Sequence, residues 1–198
     1  MVNYLYFVIP VLGLLSIFIP KPDTIVNLQN DTLIENLPKE LPSIGNGPII
    51  VLEFYNYECI YCQELFQENQ KSIQEAIEQN VITYYPIAVF PDYTPESREQ
   101  ILGSYCAAKV LDVDEFFEYQ DYVYVNKIPK KENNQFNECL NNEQKLIEIG
   151  TNLFNSLSTA SLSGMQSLPT LVTQSQLYIG RHDNYWELIL SNNDDGTV

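Results

Sequence analysis

The stretch that decides the fold is VLEFYNYECIYC, residues 51–62. Its first part belongs to an apolar, β-branched run over 48–55, which is typical of a strand buried on both faces. Over 60–80, apolar residues recur at helical spacing between Gln, Glu and Lys. These patterns predict a strand, a short turn and a helix, with a Cys-x-x-Cys motif where the helix begins.

Cys59 and Cys62 lie at the predicted N-terminus of a helix, a position that favours the ionised form of a thiol. A thiol is a useful nucleophile at neutral pH only when its thiolate is stabilised, and the free N–H groups and dipole of a helix N-terminus do this. Cys62 lies nearly one turn further along the same side, which suits a thiol that resolves a mixed disulfide. We therefore predict thiol-disulfide exchange in which Cys59 attacks and Cys62 resolves.

Zinc sites use the same cysteine spacing for half of their ligands, so a metal is an alternative. A second pair of ligands is hard to find, because Cys106 and Cys139 lie far apart in predicted helices and His182 is solitary. A purely structural bridge between Cys59 and Cys62 is a weaker alternative, since so small a loop restrains little of the unfolded chain. The sequence favours redox chemistry, with no metal and no cofactor.

Glu53 is the one acid in a run that is otherwise suited to full burial. An unpaired buried carboxylate is costly, so a function or a partner should account for it. Beside Cys62 it can take and return the proton that this thiol loses when it resolves a mixed disulfide. The alternative is an edge-facing carboxylate that reaches water from a half-exposed strand.

The rest of the chain divides into a strand, a block of helices and a final strand pair. Thr94-Pro95-Glu96 and the Asp112/Glu115 pair are helix-start signals, and Pro86 restricts its strand position to an end or a sheet edge. The predicted elements are a strand over 81–90, helices over 95–110, 116–126, 135–140 and 142–158, strands over 168–173 and 176–179, and a helix over 185–190. The predicted order is βαβ, helices, ββα.

Charge and composition limit the partners. Lys and Arg number 10 and Asp and Glu number 26, so the net charge is −16 and a polyanion such as nucleic acid would be repelled. The length of 198 residues and the hydrophobic fraction of 45% are those of one packed domain, with room for a small attachment. Four cysteines are too few for a disulfide scaffold.

Residues 4–20 carry no charged side chain and consist mostly of Leu, Ile, Val and Phe. As a helix they would reach roughly 25 Å, slightly less than a ~30 Å hydrocarbon core. They lack the basic start and small-residue cleavage site of a typical signal peptide, so we predict an uncleaved membrane anchor. A cleaved signal and a buried hairpin are the alternatives, and Lys21 weakly opposes an extracytoplasmic location for the following residues.

At this point the sequence resembles the DsbA-like branch of the thioredoxin superfamily. Residues 51–62 resemble that family's strand and active-site turn, including an acid six positions before the first cysteine. SYCAA (104–108), EFFEYQD (115–121) and FNECL (136–140) are similar to its inserted helical domain. LPTLV (168–172) is similar to the segment that holds its cis-proline.

The resemblance implies an α/β, thioredoxin-like fold with an inserted helical domain, preceded by the anchor helix. The expected divisions are a signal or anchor segment over 1–20, a Pro-rich linker over 21–46, a thioredoxin-like domain over 47–92 and 162–198, and the inserted domain over 93–161.

The resemblance also implies residue roles. Cys59 is the expected nucleophile, Cys62 the resolving thiol and Glu53 the buried acid. Pro169 is the expected cis-proline facing the disulfide, with an ordinary trans proline as the alternative. A cis bond would turn the backbone of Leu168 toward the site, where an extended substrate can pair with it.

Ile60 and Tyr61, between the two cysteines, are further expected substrate contacts and depart from the Pro and His that relatives often carry. Neither residue brings a positive charge to Cys59. The expected reduction potential therefore lies between the ~−120 mV of the most oxidising relative and the ~−270 mV of thioredoxin.

Cys106 and Cys139 are expected, from the resemblance, to form a second disulfide between two helices of the insert. Two buried free thiols are the alternative. A disulfide would require a compartment where disulfides survive, such as the extracytoplasmic face of the cell envelope, with a secreted or periplasmic location as the alternative if the signal is cleaved.

The leading functional hypothesis is a membrane-tethered oxidoreductase that oxidises unfolded or reduced exported polypeptides and is reoxidised by a membrane redox partner. Apolar and aromatic surface near Tyr57, Tyr61 and Pro169 would bind unfolded chains. The alternatives are a disulfide reductase or isomerase with the same site, and a non-catalytic binding module on the same scaffold.

Overall fold

The computed structural model describes residues 24–27, 34, 36–89, 94–130, 133–160, 168–174, 176–180 and 185–191. The anchor predicted over 4–20 lies outside these residues. Within the described part, no helix combines the length and the apolar character needed to cross a membrane. The elements are β1 (Thr24–Asn27), β2 (Ile49–Tyr55), α1 (Ile60–Glu78), β3 (Ile82–Ala88), α2 (Pro95–Val110), α3 (Val113–Asn126), α4 (Asn134–Asn142), α5 (Lys145–Ala160), β4 (Thr170–Val172), β5 (Gln176–Ile179) and α6 (Tyr185–Ser191).

The strands form one mixed sheet in the order β1-β5-β4-β2-β3. β2 pairs parallel with β3 and antiparallel with β4, so strands flank it on both sides. Its residues from Val51 to Tyr55 are buried, which explains why the run is almost wholly apolar. β3 is an edge strand and contains Pro86, as the missing N–H of proline predicts.

β1 was not expected from the sequence. It lies inside the predicted linker over 21–46, yet it pairs antiparallel with β5 at the other sheet edge. Further along this segment, Leu41 and Ile44 are buried, and Ile44 exchanges backbone hydrogen bonds of 2.8 and 2.9 Å with Tyr84. A run of four residues is too short to show a strand period, and its pairing depends on a partner about 150 positions away.

The helix-start signals of the sequence act as predicted. The Thr94 side chain accepts a hydrogen bond from the Ser97 N–H, and the Ser97 hydroxyl oxygen accepts one from the Thr94 N–H, which makes a capping box ahead of α2. Asp112 and Glu115 form the same reciprocal pair ahead of α3. Each cap satisfies backbone donors that the helix cannot, a contribution of about 1 kcal/mol.

A buried polar cluster joins the insert helices to the end of β2. Tyr55 shares a hydrogen bond with Ser104 of α2, and the Gln120 amide of α3 donates to both hydroxyls, at 2.9 and 3.0 Å. The Tyr57 hydroxyl donates to the side-chain amide oxygen of Gln120 at 2.5 Å. These buried groups all have hydrogen-bond partners, so they fix the insert helices against the end of β2, the strand that leads into the cysteine motif.

Candidate active site

Cys59 is the N-cap residue of α1. Its sulfur accepts a hydrogen bond from the Cys62 N–H at 3.3 Å, the position that a Ser or Asp oxygen takes in ordinary caps. The turn before it is held by Asn56, whose backbone oxygen accepts from the Cys59 N–H at 3.1 Å and whose side chain accepts from the Glu58 N–H at 2.6 Å. The half-buried thiol is therefore fixed at the positive end of a helix.

The surroundings of Cys59 favour its thiolate. Its pKa is lowered from 9.0 to about 7, chiefly by a hydrogen bond from the Cys62 thiol. The backbone N–H groups of Cys62 and Tyr61 and the positive charge of Lys127 act in the same direction, while partial burial opposes them. Because a thiolate is the reacting form in disulfide exchange, Cys59 has the properties of an attacking group at neutral pH.

Cys62 has the opposite environment. It is fully buried, and its pKa is raised well above 9.0, first by burial and then by the hydrogen bond to Cys59 and the negative charges of Cys59 and Glu53. A buried thiol that keeps its proton is protected from outside reagents but lies one helical turn from its partner. The two thiols thus differ in the way that attacking and resolving groups should.

Glu53 lies in the middle of β2 and is only 3% exposed. The Tyr84 hydroxyl donates to its carboxylate at 2.5 Å. Burial raises the pKa of Glu53 from 4.5 to about 7, although the hydrogen bond from Tyr84 lowers it. The alternative of an edge-facing carboxylate in contact with water is wrong, because β3 and β4 cover β2 on both sides.

Leu168 and Pro169 immediately precede β4, and the backbone of Leu168 lies beside Cys59. The bond between them is cis, so the trans alternative is wrong. The Cys59 thiol donates to the Leu168 backbone oxygen at 3.5 Å. Pro169 is buried, so its expected contribution to the apolar surface that binds unfolded chains is wrong. Its carbonyl accepts from the Gly180 N–H at 2.9 Å, which ties this segment to the end of β5.

Ile60 and Tyr61 are 59% and 53% exposed, so both can contact an approaching molecule. Tyr57, which the sequence placed on the same surface, is fully buried. Its ring packs edge-on against Tyr124 of α3 with 4.9 Å between centroids, and Gln120 accepts from its hydroxyl. The expected contribution of Tyr57 to that surface is therefore wrong, because the insert covers the ring.

Two partners of the site were missed from the sequence. Tyr84 holds Glu53 from the neighbouring strand, and Lys127, just after α3, donates from its ammonium to the Tyr57 carbonyl. Ile60 and Tyr61 bring no positive charge to Cys59, and the charge that lowers the pKa of Cys59 comes instead from Lys127. No local pattern reveals it, since Lys127 is separated from Tyr57 by 70 positions.

The other two cysteines are bonded to each other. The Cys106–Cys139 disulfide joins α2 to α4, with 5.7 Å between the Cα atoms. The two sulfurs are therefore not available as further ligands for a metal at Cys59 and Cys62. Among the described residues, no group of three or more His, Cys, Asp or Glu side chains is arranged to hold a metal ion.

Comparison with known proteins gives a structural but not a sequence-level match. No protein-family model matches the chain, and no curated protein sequence does. DsbA from Chlamydia trachomatis is 18% identical with a TM-score of 0.53, and the match covers 81% of this chain and 95% of that one. The thiol-disulfide exchange protein alpha-DsbA2 from Wolbachia pipientis is 19% identical with a TM-score of 0.57, and the match covers 84% of this chain and 95% of that one.

A thioredoxin-like oxidoreductase from Silicibacter pomeroyi DSS-3 is 15% identical with a TM-score of 0.57, and the match covers 86% of this chain and the whole of that one. Likeness at this level of identity demonstrates the fold. The chain therefore shares the fold of these DsbA and thioredoxin-like proteins, as a mixed sheet with a block of helices between β3 and β4.

Proposed function

We propose that the chain is a thiol-disulfide oxidoreductase that forms disulfides in reduced, exported polypeptides through Cys59 and Cys62. The observation that carries the proposal is the contrast between the two thiols: Cys59 is half-buried with a pKa near 7, and Cys62 is buried with a raised pKa. The fold shared with known thiol-disulfide oxidoreductases supports it.

In the oxidised enzyme, Cys59 and Cys62 form a disulfide. A substrate thiolate attacks the Cys59 sulfur, the bond between the two cysteines breaks, and Cys62 leaves as a thiolate that takes a proton from Glu53. A second substrate thiolate then attacks the substrate sulfur of the mixed disulfide and expels Cys59 as a thiolate. Two electrons pass from two substrate thiols to the cysteine pair, and the substrate gains one disulfide.

Leu168, Ile60 and Tyr61 are the proposed substrate contacts. Leu168 presents its backbone oxygen beside Cys59 at 3.5 Å, as pairing with an extended peptide requires. The exposed side chains of Ile60 and Tyr61 supply apolar contact without strong sequence preference.

The stabilised Cys59 thiolate favours the oxidising direction. A group that stabilises the reduced form makes the disulfide a stronger oxidant, because the equilibrium shifts toward the thiols. With its pKa lowered to about 7, Cys59 contributes this stabilisation fully above pH 9 and loses it as the pH falls through 7. A reductase or isomerase using the same thiols is the second candidate, and a non-catalytic binding module is the third.

We further assign the chain to the extracytoplasmic face of the cell envelope, anchored through residues 4–20. The apolar sequence of that segment supports the anchor. The Cys106–Cys139 disulfide supports an oxidising compartment. Continued turnover then requires a membrane redox partner that reoxidises Cys59 and Cys62, and the exported polypeptide is the substrate.

The test is direct transfer of a disulfide from the oxidised full chain to a reduced peptide with two cysteines. We expect one peptide disulfide for each chain, measured by mass spectrometry, and a potential in glutathione buffer between ~−270 and ~−120 mV. A potential at or below that of thioredoxin would indicate a reductase. Absence of transfer from a chain whose Cys59–Cys62 disulfide is intact, at a potential above that of thioredoxin, would leave the binding module.

Replacing Glu53 by Gln is expected to stabilise the reduced protein at neutral pH while slowing the proton-dependent step at Cys62. The folded chain keeps a proton on Glu53 that the unfolded chain releases, so wild-type stability should fall as the pH rises from 4.5 to about 7. Removing this penalty should add on the order of 3 kcal/mol above pH 7. Attack of Cys62 on the mixed disulfide, which is the reverse of the step in which Cys62 leaves, should slow by about a hundredfold.

Urea unfolding of the reduced protein across this pH range measures the first effect, and stopped-flow resolution of a mixed disulfide measures the second. Glu99→Gln, which removes an exposed acid from α2, is the matched control and should change neither. If Glu53→Gln keeps the pH dependence of wild-type stability, the buried carboxyl is not its source.

A further inference from the structure

Lys127 adopts a backbone conformation that its residue type disfavours. It follows α3 with φ 58° and ψ 20°, in the left-handed region where helices usually place glycine. Its N–H donates to the Val123 carbonyl at 2.8 Å, as a C-terminal cap does. Glycine would close the helix with less strain, so the presence of a long cationic side chain here calls for a use of that side chain.

The contacts of Lys127 fix both its backbone and its ammonium. The carbonyl of Lys127 accepts from the amide of Gln100, a buried residue of α2. The ammonium donates to the Tyr57 carbonyl and lies 5.8 Å from the centre of the Tyr124 ring, which attracts a cation through its π face. The half-buried side chain thus reaches from the insert to the turn before Cys59.

The turn that Lys127 contacts sets the position of the reactive sulfur. Tyr57 lies two residues before Cys59, between Asn56, which closes the turn, and the N-cap. The Lys127 ammonium binds the backbone of this turn at the Tyr57 carbonyl. Tyr124 packs against the Tyr57 ring, and Gln120 accepts a hydrogen bond from the Tyr57 hydroxyl. The same contact keeps a positive charge close enough to act on Cys59.

Three further groups interact electrostatically with the thiol pair, and none of the three supplies a positive charge. They are Cys62 of α1, Glu53 of β2 and Tyr124 of α3, and each is neutral or negative. Glu58, in the turn itself, is an exposed acid. In a chain with a net charge of −16, one held lysine offsets an acidic surrounding field.

We propose that Lys127 is a positioning residue through which the helical insert controls the reactive thiol: its ammonium holds the Tyr57 carbonyl and thereby keeps a positive charge beside Cys59. The inference rests on the proposed function of Cys59 and adds a residue from outside the cysteine motif. The helical insert would then influence the chemistry of Cys59, because Lys127 directly follows α3 and the end of this helix sets the position of the ammonium.

Three substitutions of Lys127 separate the effect of its positive charge from the effect of its side-chain packing and backbone conformation. Lys127→Gln removes the charge and retains an N–H donor, Lys127→Arg retains the charge, and Lys127→Gly removes the side chain while relieving the left-handed backbone. Lys71→Gln is the matched control, since Lys71 has an 86% exposed side chain far along α1 and makes only a 3.8 Å pair with Glu75. The Gly variant keeps the test valid if the Gln variant folds poorly.

The measurement is the pH dependence of Cys59 alkylation in the reduced full chain, with the labelled site identified by mass spectrometry. We expect Lys127→Gln and Lys127→Gly to move the midpoint to higher pH and to slow alkylation near neutral pH by roughly threefold to tenfold. Lys127→Arg should remain near wild type and Lys71→Gln should match it. The shift should shrink at high salt, because a charge effect is screened whereas a packing effect is not.

A wild-type midpoint in both the Gln and the Gly variants would overturn the proposal, as would an equal shift in Lys71→Gln. The readout requires no substrate and no redox partner. A chain that fails to transfer disulfides but shows the expected midpoint shifts would therefore contradict the proposed function while leaving the role of Lys127 intact. The reverse result would contradict the role of Lys127 alone.

Discussion

Replacing either Cys59 or Cys62 by Ser is expected to abolish disulfide transfer, because the donor disulfide joins these two sulfurs, but only Cys62→Ser is expected to be trapped as a mixed disulfide with a disulfide-bonded peptide. Cys59 is the accessible, ionised thiol, so a hydroxyl in its place leaves no nucleophile that can attack the peptide disulfide. Without Cys62, a mixed disulfide formed at Cys59 has lost the neighbouring thiol that would expel the substrate.

The reactivity of Cys59 compared with that of an ordinary thiol follows from its ionisation. With a pKa of about 7, roughly half of this thiol is ionised at pH 7, whereas a thiol with the unperturbed value of 9.0 would be about 1% ionised. The difference in thiolate population is about fiftyfold. A raised pKa for the buried Cys62 makes its own reaction with outside reagents slower still, so labelling of the reduced chain should fall almost entirely on Cys59.

The two variants serve as controls for each other. Each removes one sulfur from the same turn of helix, and intact-mass measurement after incubation with a disulfide-bonded peptide distinguishes them. We expect an adduct on Cys62→Ser and none on Cys59→Ser. Adducts on Cys59→Ser but not on Cys62→Ser would reverse the assigned roles, and equal adducts on both would contradict the asymmetry of the site.

The cysteine motif and its helix were predictable because their determinants are local. The apolar run over 49–55, the turn and the period of α1 lie within thirty residues of one another, and capping residues such as Thr94 and Asp112 act over three positions. Glu53 was recognised because a lone acid interrupts that run. Its burial follows from the same local pattern.

The parts that were missed depend on contacts between distant positions. Tyr84 meets Glu53 only because β3 lies beside β2, and the burial of Tyr57 depends on α3 packing over its ring. Lys127 reaches the active-site turn because of how the insert folds back on the sheet. β1 is too short to show a period of its own. Residue types and spacing do not encode which distant partner completes a contact.

These long-range contacts make the insert part of the active site. Through Ser104 and Gln120 it holds Tyr55 and Tyr57, and through Lys127 it holds the backbone of the cysteine turn. Loosening the insert should therefore affect Cys59 without any change within the motif. The disulfide between α2 and α4 is the covalent element that limits such loosening.

Replacing both Cys106 and Cys139 by Ala is expected to lower the free energy of unfolding by about 3 to 4 kcal/mol. The bridge closes a loop with a sequence separation of 33, and closing a loop of that length removes this much conformational freedom from the unfolded chain. A typical domain has only about 5 to 15 kcal/mol in total, so the midpoint of denaturant unfolding should fall clearly. Both side chains are buried, which adds a small cavity term.

The comparison that isolates the bridge uses the single variants Cys106→Ala and Cys139→Ala beside the double variant, because each breaks the same covalent loop. Similar losses in all three would assign the effect to the loop, whereas a double variant within about 1 kcal/mol of wild type would contradict it. Because Cys106 lies two residues after Ser104, loss of the bridge should also shift the pH midpoint of Cys59 alkylation toward that of Lys127→Gln. A large stability loss with an unchanged midpoint would mean that the insert keeps its hold on the cysteine turn without the bridge, through the buried Tyr and Gln hydrogen bonds alone.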